Sequence, residues 1–98
     1  WKDAIEIVKK NKRKIEFVED PLGYFLISVK EGKIVVDHFS PDGRKTFSFE
    51  GTSAEDLYKR IISQNLVSRL EHAAYLGKEL MRAEMCLKEG KKYVQDCF

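Results

Sequence analysis

The spacing of hydrophobic positions changes period along the chain. From about Lys2 to Asn11, Ala4, Ile5 and Val8, with Trp1 one turn earlier, recur at i, i+3, i+4, which predicts a short amphipathic helix. The period then drops to two. "IEFV" reads as a short strand that stops at "EDPLG", where Pro21 removes a backbone donor and Gly23 permits a turn. "GYFLISVKEGKIVVDHF" predicts a hairpin joined at Lys30-Glu31-Gly32-Lys33, with Gly32 at positive φ. "HFSPDGRKTFSFEG" predicts a second, because Pro41 takes the second turn position with Asp42-Gly43 behind it. The strands therefore form a consecutive antiparallel meander of three or four. Tyr24, Leu26 and Val35 add apolar bulk opposite Phe25, Ile27 and Ile34, so both faces of the sheet are expected to be partly covered.

Beyond Gly51 the helical period returns. "TSAE" fits a capping box with Thr52 at the cap and Glu55 three later, and Ala54, Leu57, Tyr58, Ile61 and Ile62 supply a buried stripe. "SQN" ends that helix. "SRLE" repeats the capping logic with Ser68 and Glu71 and opens the longest helix, running to about Glu89, with Gly90 at the C-terminal cap. "KYVQD" reads as a last strand or a docked tail. The order of helix, strands and two helices predicts an α+β fold: a three- to four-stranded antiparallel meander with an N-terminal helix and two C-terminal helices packed on it.

Composition narrows the class. Ninety-eight residues make one small domain, and the absence of repeats, low-complexity segments and linkers agrees. Beginning at Trp1 rather than Met, the chain reads as a fragment of a larger protein. Charged residues make up 35%, mostly Lys, Glu and Arg, a balance that leans toward a thermophilic source with surface ion-pair networks. The net charge of +2 is too small to argue a polyanion partner. No apolar run approaches the roughly 20 residues of a membrane helix, and the N-terminus lacks a signal peptide's apolar core. Cys86 and Cys97 form neither a disulfide framework nor a zinc spacing, and fit reduced thiols in a cytoplasmic protein.

Candidate chemistry concentrates on the long helix. At about 100° per residue, Leu70, Ala73, Ala74, Gly77, Leu80 and Met81 share one arc, expected to face the core. The small residues Ala73, Ala74 and Gly77 would form a notch for an aromatic ring or a ligand. The other arc holds His72, Tyr75, Glu79 and Arg82, expected to face outward as a stripe that binds a ligand or partner. Glu84 projects into the apolar arc, which predicts a buried carboxylate needing a tyrosine hydroxyl, Arg60 or Lys92. His38 is a further candidate. It cannot pair with the adjacent Asp37, which points to the opposite face, but could meet His72 across the helix–sheet packing. No metal-ligand spacing, phosphate loop or nucleophile elbow is present, so the isolated domain does not read as an enzyme.

The stretches "DPLGYFLISV", "LYKRII" and "SRLEHAAYLGKELMRAEMCLKEGKKYVQD" together resemble a small domain of unknown function. It is found at the C-terminus of archaeal dihydropteroate synthase-like proteins and in small cyanobacterial proteins. The likeness runs from about Asp20 to Asp96, and its most specific part is His72, Ala73, Tyr75, Leu76, Gly77, Glu79, Leu80, Ala83 and Glu84, followed by "YVQD". The resemblance implies that this chain is a C-terminal domain, with a pterin-binding barrel as neighbour and a link to pterin and one-carbon metabolism. It carries no catalytic residues over.

Three functions follow. The first is an accessory domain on a pterin-binding barrel or partner subunit, with Tyr75 stacking on a pterin and Glu79 accepting its ring N–H donors. The second is a structural or oligomerisation module, with the stripe solvated or at a homo-oligomer interface. The third, ranked lowest, is nucleic-acid binding through the basic run Lys9, Lys10, Lys12, Arg13 and Lys14, which Glu16, Glu19 and Asp20 dilute.

Overall fold

The computed structural model describes residues 20–96. The expected N-terminal helix, the strand "IEFV", the basic run and Cys97 lie outside them. β1 (Tyr24–Lys30), β2 (Lys33–Phe39) and β3 (Lys45–Gly51) form an antiparallel sheet in the order β1-β2-β3, the predicted meander. These runs are rich in the β-branched and aromatic residues that fit a pleated surface. The β1–β2 turn places Glu31 and Gly32 at φ 50° and 76°, a turn whose twist matches that of the flanking strands. The second hairpin closes through a hydrogen bond from the Gly43 N–H to the Ser40 carbonyl (2.8 Å).

Two helices, α1 (Ala54–Ser63) and α2 (Leu70–Glu89), cover one face of the sheet. Alternation along the strands sends Phe25, Ile27, Ile34, Val36 and Phe49 to that face, where they meet Leu57, Ile61, Leu76, Leu80 and Ala83. Full burial of each large aliphatic stabilises by about 1.5–3 kcal/mol, so this layer supplies most of the drive to fold. Tyr24, Leu26, Val35 and Phe39 on the opposite face are half-buried, as the mixed pattern predicted.

The helix starts differ from the expected capping boxes. Ser53, not Thr52, caps α1, its hydroxyl accepting the Asp56 N–H. Glu84 reaches across from α2 to accept the Ala54 N–H at 2.7 Å. Arg69, not Ser68, is the cap of α2, and it makes no side-chain capping bond. A carboxylate distant in sequence, Asp20, satisfies that end instead. Tyr58 is only half-buried and Ile62 is exposed, so the buried stripe of α1 is Ala54, Leu57 and Ile61. Gly90 closes α2 at φ 67°, as predicted. Residues 91–96 are a docked tail rather than a strand. The Gln95 side-chain amide accepts the Ile27 N–H (2.8 Å) and donates to the Phe25 carbonyl (3.1 Å), covering part of the outer edge of β1.

Candidate functional site

The long helix turns the polar stripe toward the sheet in place of the predicted arc, of which Leu80 alone is buried. His72, Tyr75, Leu76, Glu79, Leu80 and Ala83 point inward, whereas Leu70 and Met81 are 82% and 62% exposed. Ranking the arcs by apolar content points the wrong way because the polar side chains of the stripe are satisfied internally. Their partners, Asp20 and the C-terminal tail, come from the two ends of the described chain, and a helical projection contains neither. Two hydrogen-bonded clusters result, joined through Phe25 and Tyr75.

The first cluster is built on Asp20. Pro21 and Gly23 turn the chain so that the carboxylate accepts the Leu22 N–H (2.9 Å), an Asx turn. The same group accepts the Ser68 N–H (2.8 Å), the Ser68 hydroxyl (2.9 Å) and the Arg69 N–H (3.0 Å), which fixes the loop that enters α2. His72 Nδ1 lies 3.2 Å from Asp20 Oδ2, a buried contact between imidazole and carboxylate. Phe25 sits between the two imidazoles, 4.8 Å from His38 and 5.2 Å from His72. A β-bulge between His38 and Phe39 brings the Thr46 hydroxyl onto His38 Nδ1.

Burial sets the electrostatics of this cluster. It would raise the Asp20 pKa, but the hydrogen bonds from Leu22, Ser68 and Arg69 outweigh it and hold the carboxyl far below its ordinary value. Burial pushes both imidazoles down: His72 against the opposing pull of Asp20, and His38 with added repulsion from His72. Asp20, His72 and Ser68 are the residue types of a hydrolytic triad, wired in another order. The Ser68 hydroxyl bonds the carboxylate, not the imidazole, so no base is placed to activate it.

The second cluster closes over Glu79, which is fully buried. Its Oε1 accepts Arg82 Nη1 (2.6 Å), the Tyr93 hydroxyl (2.8 Å) and the Asp96 N–H (3.0 Å). The Tyr75 hydroxyl donates to the Asp96 carbonyl, and the Gln95 amide donates to the Tyr75 oxygen (3.0 Å). Arg82 also donates to the Val94 carbonyl and lies over the Tyr93 ring at 5.5 Å. Burial, and then the hydrogen bond to Glu79, raises the Tyr93 pKa well above its ordinary value. The acceptor expected to meet a ligand's ring N–H groups is thus occupied by the chain's own tail.

The structure brings His38, His72, Tyr75 and Glu79 into one buried region, with Arg82 at its rim. Glu84 stands apart. It is half-buried, bonded to the Ala54 N–H and 3.1 Å from Lys88, not to Arg60 or Lys92, and these contacts lower its pKa. The buried carboxylate in the pattern is Glu79. Among the described residues, His38 Nε2, His72 Nδ1 and Glu79 Oε2 are buried without a hydrogen-bond partner. Among the described residues, no group of three or more His, Cys, Asp or Glu is placed to hold a metal ion, and no helix is long and apolar enough to cross a membrane. Asp20, Thr46, Tyr93 and Gln95 escape the sequence reading. The Asx-turn pattern at "DPLG" is the one local signal among them, and it marks a turn rather than a long-range bond.

Residues 19–96 match the family model described as PterinBD-DUF4346. The chain is 33% identical over 94 residues to an uncharacterized protein of Methanocaldococcus jannaschii, covering 94% of this chain and 18% of that protein. It is 36% identical over 73 residues to a Ycf91-like protein of a Nostoc species, covering 71% of this chain and 58% of that protein. An uncharacterized ycf91 protein of Pyropia yezoensis is 29% identical over 85 residues, covering 79% of this chain and 73% of that protein. The chain thus spans under a fifth of the archaeal relative and somewhat over half of the Nostoc one. No solved structure matches it.

Proposed function

The chain belongs to the PterinBD-DUF4346 family, and from that membership we propose that it serves as an accessory, non-catalytic domain of a dihydropteroate synthase-like protein. The observation that carries this reading is the family match over residues 19–96, whose name joins this domain to a pterin-binding one. The geometry supports it from the other side. The polar groups that could do chemistry are spent on holding α2 and the tail in place. The domain packs on a pterin-binding barrel, in the same polypeptide or a partner subunit, and helps complete a ligand site or subunit interface. Its link to pterin and one-carbon metabolism is by that association, and a cytoplasmic location goes with it. His38, His72, Tyr75 and Glu79 serve such a surface indirectly, by fixing α2 and the tail. Arg82, whose side chain is 41% exposed, can reach a partner directly.

Calorimetry with a reduced pterin tests the proposal on this domain alone, on a pterin-binding domain of the same family alone, and on their mixture. The expected result is no heat with this domain alone and at least about tenfold tighter binding in the mixture than with the pterin-binding domain alone. Equal affinity with and without this domain, and no co-sedimentation of the two, would remove the accessory role. Pterin binding by this domain alone would replace it with a binding role.

A further inference from the structure

Because α2 turns its polar stripe inward, its outward face is left apolar. Leu70, Met81 and Met85 are 82%, 62% and 56% exposed, and Ala74 is exposed beside them. At about 100° per residue these four fall within an arc of about 60°. The neighbouring helix extends the patch. Ala54 of α1 lies at Glu84 and Tyr58 lies at Gly77, so α1 runs antiparallel to α2. Ile62, 38% exposed and one turn beyond Tyr58, is carried toward the Leu70 end.

We infer that this face pairs with the same face of a second copy, α2 against α2, antiparallel about a two-fold axis beside the Gly77–Lys78 peptide. The stripe is symmetric about that point: Leu70 and Met85 are equidistant from it, and so are Ala74 and Met81. An isologous contact requires this self-complementarity. In that register Met81 seats on the partner's Ala74, large on small, and Leu70 meets the partner's Met85. Ile62 widens the contact at each end. The charged flank agrees. Glu71 comes within about two residues, about 3 Å along the axis, of the level of the partner's Arg82, a gap that two long side chains can span. The two Lys78 side chains at the axis are each neutralised by Asp96 of their own copy at 3.6 Å.

The stripe is about 22 Å long at 1.5 Å per residue. One helix on one helix over that length gives an interface at the small end of the specific range, below about 1,200 Å² in total. The dimer is therefore concentration-dependent, dissociating in roughly the micromolar range. The inference does not depend on the accessory role proposed above, since it concerns two copies of this chain alone.

Sedimentation velocity of the 98-residue chain, from about 5 to about 500 μM, is the test. Expected are a sedimentation coefficient that rises with concentration and a monomer at every concentration for Met81→Glu, whose exposed site leaves the thermal midpoint of the dilute monomer unchanged. In a Cys86→Ser/Cys97→Ser background, Lys78→Cys should oxidise to a covalent dimer far faster than Lys59→Cys, on the outer side of α1. A monomer throughout overturns the inference. So does a dimer that survives Met81→Glu, or Lys78→Cys cross-linking no faster than Lys59→Cys.

Discussion

Asp20 and His72 meet at 3.2 Å, with the side chains 0% and 2% exposed, and the carboxylate also holds the entry loop of α2 through Ser68 and Arg69. One side chain from before the sheet thus ties the turn into β1 to the start of the helix that covers it. Asp20→Ala strips the Ser68 and Arg69 N–H groups of their acceptor and leaves His72 Nδ1 facing a void. With a buried unsatisfied donor costing about 1–3 kcal/mol, the expected loss is about 3–4 kcal/mol by urea denaturation. A loss below about 1 kcal/mol would reduce Asp20 to a local turn residue.

The same cluster sets a pH dependence. His38 and His72 have folded pKa values below the ordinary 6.5 because burial disfavours the imidazolium, so the unfolded chain binds more protons as the pH falls. Their contribution is intact above about pH 6.5 and declines as the pH drops below it. The charges facing them are the Asp20 carboxylate and each other, and Asp20 opposes the shift of His72 without reversing it. Asp20, with its pKa lowered, adds a second loss only below its unfolded value of about 3.9. Stability measured at pH 8, 6, 5 and 4 should fall across that series, and His38→Gln/His72→Gln should flatten the part above pH 4. A flat wild-type profile from pH 8 to 4 would contradict the assignment.

Glu79 governs the tail. Glu79→Ala leaves the Asp96 N–H, the Tyr93 hydroxyl and Arg82 without their common acceptor. The tail should then release β1. Exchange at the Ile27 amide, now held by Gln95, should accelerate by at least about a hundredfold, corresponding to about 2.7 kcal/mol of local protection. The Tyr93 pKa, raised by burial and by Glu79, should return toward 10 in an ultraviolet titration. Unchanged Ile27 exchange would mean that the tail docks without Glu79.

How much of this was legible in the sequence follows from where each partner lies. The hairpins and the C-terminal end of α2 depend on residues within a few positions, such as Gly32, Pro41 and Gly90, and there sequence and structure agree. The start of α2 depends instead on the distant Asp20. The orientation of α2 depends on Asp20, 52 positions before His72, and on Asp96, 17 positions after Glu79. An apolar-content rule treats a histidine or glutamate as outward unless its partner is known. The rule therefore sends His72 and Glu79 to the outer face and, for the same reason, Leu70 and Met81 to the core. It predicts a buried Glu84 because the arc around that residue is apolar. On the observed face it reaches the N-terminus of α1 instead.

Gly77 and Gly23 separate the two reasons a chain keeps a glycine. A Cβ at Gly77 would lie 3.5 Å from the Tyr58 ring, an ordinary contact, and its backbone is helical. The predicted notch for an aromatic ring is there, but it has room for a methyl group. Alanine is favoured over glycine in a helix by about 1 kcal/mol, so Gly77→Ala should stabilise the fold by about 0.5–1 kcal/mol. Gly23 sits at φ 124°, and a Cβ there would lie 2.0 Å from the Phe39 carbonyl oxygen and 3.0 Å from His38 Nε2. The obstacle at Phe39 is backbone of the adjacent strand and cannot rotate away. Gly23→Ala must open the β1–β2 pairing at Tyr24 or displace the turn that presents Asp20 to α2. Strain at a positive-φ site alone costs about 1–2 kcal/mol, and the backbone clash adds to it, so a loss above about 3 kcal/mol is expected. Thermal denaturation of the two alanine variants should move in opposite directions. If Gly77→Ala destabilises as much as Gly23→Ala, Tyr58 packs more tightly on α2 than 3.5 Å allows, and the glycine is required for close approach after all.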